Sequence, residues 1–557
     1  MEASRPFTSI RAMQNFISRV LPPLAGARHS QRMMKSWRLL PVVLGVFAAL
    51  PAFADATDPS DPVLNLLLDK GVITQKEADN ARAQAAAIRS NSIVALPPME
   101  SKWDISHAIK NVELFGDVRV RYEDRQAETP VGGKIDLQRE RYSVRFGLRG
   151  KALDDFYYGV RLETSANPRS AWGTFGTSSS GLPYQGPYGK STFNLDIGQA
   201  YMGWRPEEWV DLTVGKMPNP LYTTSMVWDG DLNPEGLAER FHYQVGAADF
   251  FATFGQFVYQ DTNPNQASGG LGFNGLTGLN TDNIFQLAWQ GGLTYHITTN
   301  ISAKVAATIY QYYGLQSFVS PYYGDVYVGE GQYQGPGSSY PVNGSSGYGT
   351  SYTTVPGSPN SLGYPNNQVG LNDLLVLEIP FEVNFKLKHV DARVFGDFAY
   401  NLEGKQRAEK AAAAYSYYLA NYSTTPATIS GFAPQTDEVK AYQIGFAIGS
   451  PDSLGLVSGS TCRKHAWEVR TYWQHVEQYA LDPNLLDSDF FEGRANLEGV
   501  YAAVAYGFTD NVIGAVRYGY AHRINNAIGT GGSNQDIPQI NPIDNFSLFQ
   551  VDLILKF

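Results

Sequence analysis

The last thirteen residues, Asn545 to Phe557, read NFSLFQVDLILKF, and their spacing constrains the whole chain. Phe549, Val551, Leu553, Leu555 and Phe557 fall on one side of an extended backbone; Leu548, Gln550, Asp552, Ile554 and Lys556 fall on the other. A period of two over this length predicts a β-strand with one apolar face. A strand in last place keeps an unpaired edge unless the sheet closes on itself. Its partner must already have been made, so the expectation is a barrel whose last strand pairs with its first.

The same period holds from Val112 onward. Leu114, Gly116, Val118, Val120 and Tyr122 share one side, and Asp117, Arg119, Arg121 and Glu123 the other. Tyr142, Val144, Phe146 and Leu148 oppose Arg141, Ser143, Arg145 and Arg149; Tyr158, Val160 and Leu162 oppose Arg161 and Glu163. Further candidate strands are Leu195 to Arg205, Trp209 to Lys216, Phe241 to Gly246, Asp249 to Val258, Asn283 to Ile297, Ile301 to Tyr312 and Leu374 to Lys388. After them come Ala392 to Asn401, Glu438 to Gly449, His465 to Glu477, Asn496 to Phe508, Val512 to Asn525 and the last strand, sixteen in all. The short sixth strand and the long connection Ser450 to Lys464 leave fourteen or eighteen open.

A soluble sandwich would alternate too, and the connections separate the two cases. Long segments follow the odd-numbered strands, up to the sixty residues from Tyr313 to Asn372. Most even-numbered strands end in turns such as Pro206-Glu207-Glu208, Thr298-Thr299-Asn300 and Thr509-Asp510-Asn511. Turns this short make antiparallel hairpins, and long loops at one end with tight turns at the other are the pattern of a transmembrane β-barrel. The fold expected is all-β: an antiparallel transmembrane barrel of sixteen strands over 112–557. Composition agrees: charged residues are 17%, aromatics 13%, and 34 Tyr outnumber 29 Phe. Such a barrel has a polar lumen and aromatic girdles at both interfaces, for which Tyr122, Tyr400, Phe508, Tyr518, Tyr520 and Phe557 are candidates.

Before the barrel the pattern differs. Leu39 to Leu50 is the longest apolar run, with Lys35 and Arg38 before it and Ala52-Phe53-Ala54 after it. It is too short to span a bilayer and reads as a secretory signal, residues 33–54, cleaved near Ala54. Met33 or Met34 is then the expected start, and 1–32 an over-called prefix. The mature chain would hold 36 Lys/Arg against 52 Asp/Glu, a net charge of −16, which argues against nucleic acid as a partner. Residues 55–101 read as a short periplasmic helical segment and linker, with Thr74-Gln75-Lys76-Glu77 as a capping box.

Two groups of residues are candidates for function. The segment from Met217 to Gly236 is rich in Pro, Gly and Asp and is the candidate for a loop folded into the lumen, with an ordered external loop as the alternative. Its Asp229, Asp231 and Glu235 would line a constriction. Facing them, Arg119, Arg121, Arg141, Arg145, Arg149 and Arg161 all point into the lumen by alternation. They would form a ladder for anions or, paired with Asp117, Glu123 and Glu163, stiffen the wall. Catalysis has little support, since no H-E-x-x-H, G-x-S-x-G or phosphate-binding loop occurs. No metal or cofactor is expected, and the lone Cys462 has no second cysteine to pair with.

Two stretches carry a family likeness. Leu64 to Ala83, LNLLLDKGVITQKEADNARA, and Val214 to Ala238, VGKMPNPLYTTSMVWDGDLNPEGLA, resemble the leader and third-loop segments of the Putative porin family of Gram-negative outer membranes. The leader is also similar to that of phosphate-selective porins. The resemblance implies an outer-membrane porin for passive diffusion of small hydrophilic solutes or ions. It also implies outer-membrane lipid around the barrel, and Phe557 as the signal read by the barrel-assembly machinery. A homo-trimer stays open. Kept beside it are an anion- or phosphate-selective channel, an adhesin or receptor acting through the long loops, and a barrel enzyme.

Overall fold

The computed structural model describes residues 109–165, 170–176, 194–260, 284–313, 374–409, 412–413, 435–482, 485–530 and 542–557, together with positions 70, 74 and 76. The expected prefix, signal and helical segment therefore lie outside the described residues, apart from those isolated positions.

Wherever apolar and polar residues alternate, the chain is strand. The segments are β1 (Ile109–Glu128), β2 (Lys134–Ala152), β3 (Phe156–Ser165), β4 (Gly173–Thr174), β5 (Asn194–Glu207), β6 (Val210–Lys216), β7 (Glu235–Val245), β8 (Ala248–Gln260) and β9 (Ile284–Thr298). They continue as β10 (Ile301–Tyr313), β11 (Leu375–Glu378), β12 (Phe381–Lys386), β13 (Asp391–Asn401), β14 (Lys440–Gly449), β15 (Trp467–Val476), β16 (Leu497–Gly507), β17 (Val512–Arg523) and β18 (Asn545–Lys556). All pairings are antiparallel between chain neighbours, and β18 closes on β1 from Asp117↔Lys556 to Glu128↔Asn545.

Eighteen segments make sixteen wall strands. Pro380 has no N–H to give the ladder, so one wall strand is split into β11 and β12, both lying between β10 and β13. The two-residue β4 continues the wall beside β2 at Arg141 and Tyr142, beyond the last β2–β3 pair, Arg145↔Glu163. The seam shows why a glycine stands at 116. Phe557 and Gly116 exchange backbone hydrogen bonds of 2.9 and 3.1 Å. A β-carbon on Gly116 would come within 2.7 Å of the Phe557 ring, so the terminal aromatic covers a residue with no side chain.

The two faces follow the alternation. Outward residues such as Val120, Val504 and Leu553 are apolar and exposed, Val120 by 45%, whereas inward neighbours such as Arg121 (2% exposed) and Asp552 are buried. Among the described residues, several segments leave the wall and turn into the interior. From the long-loop end come 217–234 and 477–482 with 485–496, which bring Met226, Trp228, Phe490 and Phe491 into one buried apolar cluster with Tyr310, Tyr472 and Tyr501 of the wall. From the short-turn end comes 450–466, the connection that blurred the strand count. Gly455 and Val457 there donate backbone N–H groups to Glu468 at 2.9 and 2.8 Å, and Arg517 donates to the Val457 carbonyl at 2.8 Å. The sixth wall strand also differs from expectation. It begins at Glu235, six residues before Phe241, because Glu235 to Arg240 pair in full with β6.

Candidate functional site

The inward rows of β1, β2 and β3 carry the arginines, and each has a carboxylate in reach. Arg119 bonds Asp117 at 2.7 Å, and Arg161 bonds Glu163 at 2.9 Å. Arg149 grips Glu113 with both Nε and Nη2, at 2.8 and 2.7 Å. Arg141 lies 3.6 Å from Glu123. Arg121 is shared between Asp552 at 2.7 Å and Asp489 at 2.8 Å, and its guanidinium carbon lies over the Trp172 ring, 4.0 Å from the ring centroid. Arg145 stands 3.8 Å from Glu163 and reaches across to Asp231 at 2.5 Å. The row thus divides into a sealed part, Arg121 and Arg141, and a part facing the remaining space, Arg119, Arg145, Arg149 and Arg161.

The acidic side is built on 217–234. Gln290 of β9 grips Tyr222 by both its backbone N–H and its carbonyl at 2.8 Å. Thr223 donates to Glu378 and Thr224 to Asp397, both at 2.5 Å. Trp228 packs between Phe257 and Tyr310, with ring centroids 6.2 and 6.4 Å away. These anchors hold the loop against the β8 to β13 wall and aim its acidic end across the barrel. There Asp229 joins two inward segments. Its carboxylate accepts the N–H groups of Asp231 and Ser488, each at 2.9 Å, and its own N–H donates to Leu485 at 2.7 Å.

Burial pushes the Asp229 carboxyl up to about 8, with Asp231 and Asp487 adding repulsion and the two N–H donors opposing it. Burial likewise raises Asp487 to about 7, with Asp489 next to it as the second cause. Burial acts upward on Asp489 as well, but Arg121, Arg125 and Arg517 together hold it well below the usual carboxylate range.

Asp231 therefore meets the arginine row through Arg145, Asp229 sits behind it against Ser488 and Leu485, and Glu235 does not reach the row. Glu235 opens β7 in register with Lys216, 2.5 Å away, on the side opposite the inward Thr213 and Ala238. It stands 57% exposed on the outer face. Sequence reading missed Asp487, Asp489, Arg517, Asp552 and Trp172. The one signal for the first two was the apolar content of their connection, Leu481, Leu485, Leu486 and the adjacent Phe490-Phe491 pair, since two neighbouring large aromatics rarely stay in water.

Residues 127–557 match the family profile described as Putative porin. No curated relative matches the chain in sequence. Among solved structures, the chain is similar to OmpT, an outer membrane protein of Vibrio cholerae, at 10% identity over 82% of this chain and 100% of that one, TM-score 0.38. It is also similar to the outer membrane channel DcaP of Acinetobacter baumannii, at 12% identity over 83% and 100%, TM-score 0.35. An anion-selective porin from Comamonas acidovorans matches at 8% identity over 80% and 99%, TM-score 0.36.

Proposed function

The chain belongs to the Putative porin family, and on that premise we propose that it is an outer-membrane channel whose path for small hydrophilic solutes and ions narrows between Arg145 and Asp231. A closed barrel of sixteen strands is wide enough for an aqueous lumen. The observation that carries the constriction is the 2.5 Å contact joining a wall arginine to an inward loop. Every arginine of the row has a carboxylate oxygen within 3.6 Å, which favours general diffusion over a dedicated anion ladder.

Selectivity tests this reading. Asp231→Asn removes the nearest carboxylate from Arg145 and leaves it Asp117 and Glu163, so the reversal potential in a salt gradient should move toward anion preference. Glu235→Gln, on the outer face, should leave it unchanged. Equal shifts from both variants, or none from Asp231→Asn, would remove the constriction from this place.

The leader is read as a signal, residues 33–54, cleaved near Ala54, and 55–101 as a periplasmic helical segment. Phe557 is read as the mark for the assembly machinery, supported by its double hydrogen bond to Gly116. Deleting Phe557 should lower the fraction of chain that runs as a heat-modifiable folded band, before conductance per channel changes. Full yield of folded barrel without Phe557 contradicts that role.

A further inference from the structure

A repeated stack lines the short-turn half of the lumen. Phe115, Tyr157, Phe251 and Phe395 are each the register partner of a glycine on the next strand, at positions 147, 203, 292 and 445, where a β-carbon would meet the ring. A ring that covers a glycine lies along the wall, and each of these four is faced by a cation. Arg149 stands 4.9 Å from the Phe115 ring centre, Arg205 4.9 Å from Tyr157, Lys304 5.0 Å from Phe251 and Arg470 6.0 Å from Phe395.

Three of the four cations hold a carboxylate: Arg149 has Glu113 at 2.7 Å, Arg205 has Asp211 at 2.8 Å and Arg470 has Glu468 at 2.9 Å. Lys304 has none. It shares the inward side of β10 with Thr308 and Tyr310, and its Nζ also stands 3.9 Å over the Tyr222 ring of the inward loop. Glu382 of β12 faces it in register, yet that carboxylate turns to the Asn384 amide at 3.0 Å and to Arg393 at 3.6 Å. Asp249, in the same row on β8, is taken by His296 at 3.1 Å. Aromatic faces attract an ammonium but are poor acceptors of its three protons. Among the described residues no oxygen accepts them.

We propose that Lys304 is a binding site for a small monocarboxylate, on the short-turn side of the constriction. The solute carboxylate accepts the Nζ protons that the rings leave over. Arg393 on β13 gives Asn384 only its Nε, at 2.7 Å, and so has Nη donors to spare for the same anion. Tyr222 and Phe251 already hold the ammonium against the wall, so binding orders no loose side chain. Charge sets the valence. Glu382 and Asp249 flank the site on either side, so a dianion such as hydrogen phosphate is repelled where a monoanion is balanced. The site rests on the channel reading, since a solute must enter the lumen to reach it.

The test uses the exported full-length chain, in planar bilayers and in detergent. Conductance in potassium acetate should saturate with concentration for the wild type and for Lys304→Arg, and rise in proportion to it for Lys304→Met. Saturation-transfer NMR on the detergent-solubilised barrel should show transfer to the acetate methyl group, several-fold weaker in Lys304→Met and undiminished by an equal concentration of phosphate. Glu382→Gln removes one flanking charge and should raise acetate affinity several-fold. It carries the test if Lys304→Met does not run as a heat-modifiable folded band. Wild-type current that never saturates, transfer as strong in Lys304→Met, or phosphate displacing acetate on equal terms would overturn the proposal. Barrels that bind acetate through Lys304 yet pass no current would sink the channel reading and leave the site standing.

Discussion

Asp552→Ala should lower the unfolding free energy of the barrel by about 3–5 kcal/mol, the usual consequence of removing one partner from a buried ion cluster. Asp552 sits on β18 with Arg121 of β1 on one side and Arg517 of β17 on the other. It accepts both Nε and Nη2 of Arg121, at 2.7 and 3.0 Å, and is paired with Arg517 as well. Alanine would leave two buried guanidinium groups on the strands flanking the last one, where the barrel closes. Arg121 would keep Asp489, and Arg517 the carbonyl of Val457. Neither substitute neutralises both charges. Leu553→Ala, one residue on and facing outward, removes only apolar contact and should cost far less. Adding Arg517→Met to Asp552→Ala should restore part of the loss, because the repulsion goes with the second charge. Urea unfolding in lipid vesicles would give the numbers. An Asp552→Ala barrel that unfolds at the wild-type midpoint would show that backbone pairing alone holds the seam.

That cluster also marks the limit of what could be read from sequence. Alternation tells which way a wall residue points, so the inward sides of β1, β2 and β18 were legible residue by residue, Asp552 included. It carries no information about a chain that has left the wall. Residues 450–466 and 477–496 have no period; nothing in the spelling of the first says that it turns inward to meet Arg517, and in the second only the apolar residues, Phe490-Phe491 foremost, point inward toward Arg121. The loop 217–234 was legible because its prolines and clustered aspartates demanded a fixed place. Glu235 was misplaced for a physical reason. Glu239 stands where an apolar residue belongs, so the alternation over Glu235 to Arg240 is spoiled and the strand reads as starting late.

Acid should tighten the inward loops and alkali should loosen them. Asp229 and Asp487 both have carboxyls raised, to about 8 and about 7, while the loops are in place. Released into water they would return to an ordinary value near 3.8. The docked state therefore binds more protons than the released one between about pH 4 and pH 8. Its stability is full at the acid end, and falls by up to about tenfold in the docking equilibrium per pH unit and per carboxyl as pH rises through that window. Asp489 acts in the opposite sense, but its lowered value confines the effect to pH below about 4. Single-channel recordings should show a smaller, quieter conductance at pH 5 and a larger, noisier one at pH 8. Asp229→Asn keeps the shape of the protonated acid without a charge to bury, so at pH 8 it should stay close to the acid behaviour of the wild type. Asp229→Ala removes the acceptor of both the Asp231 and the Ser488 N–H. It should free the junction of the two loops at every pH and raise conductance at pH 5. If Asp229→Ala is as quiet as the wild type at pH 5, the loops are held by the packing of Trp228, Phe490 and Phe491, and Asp229 is not their latch.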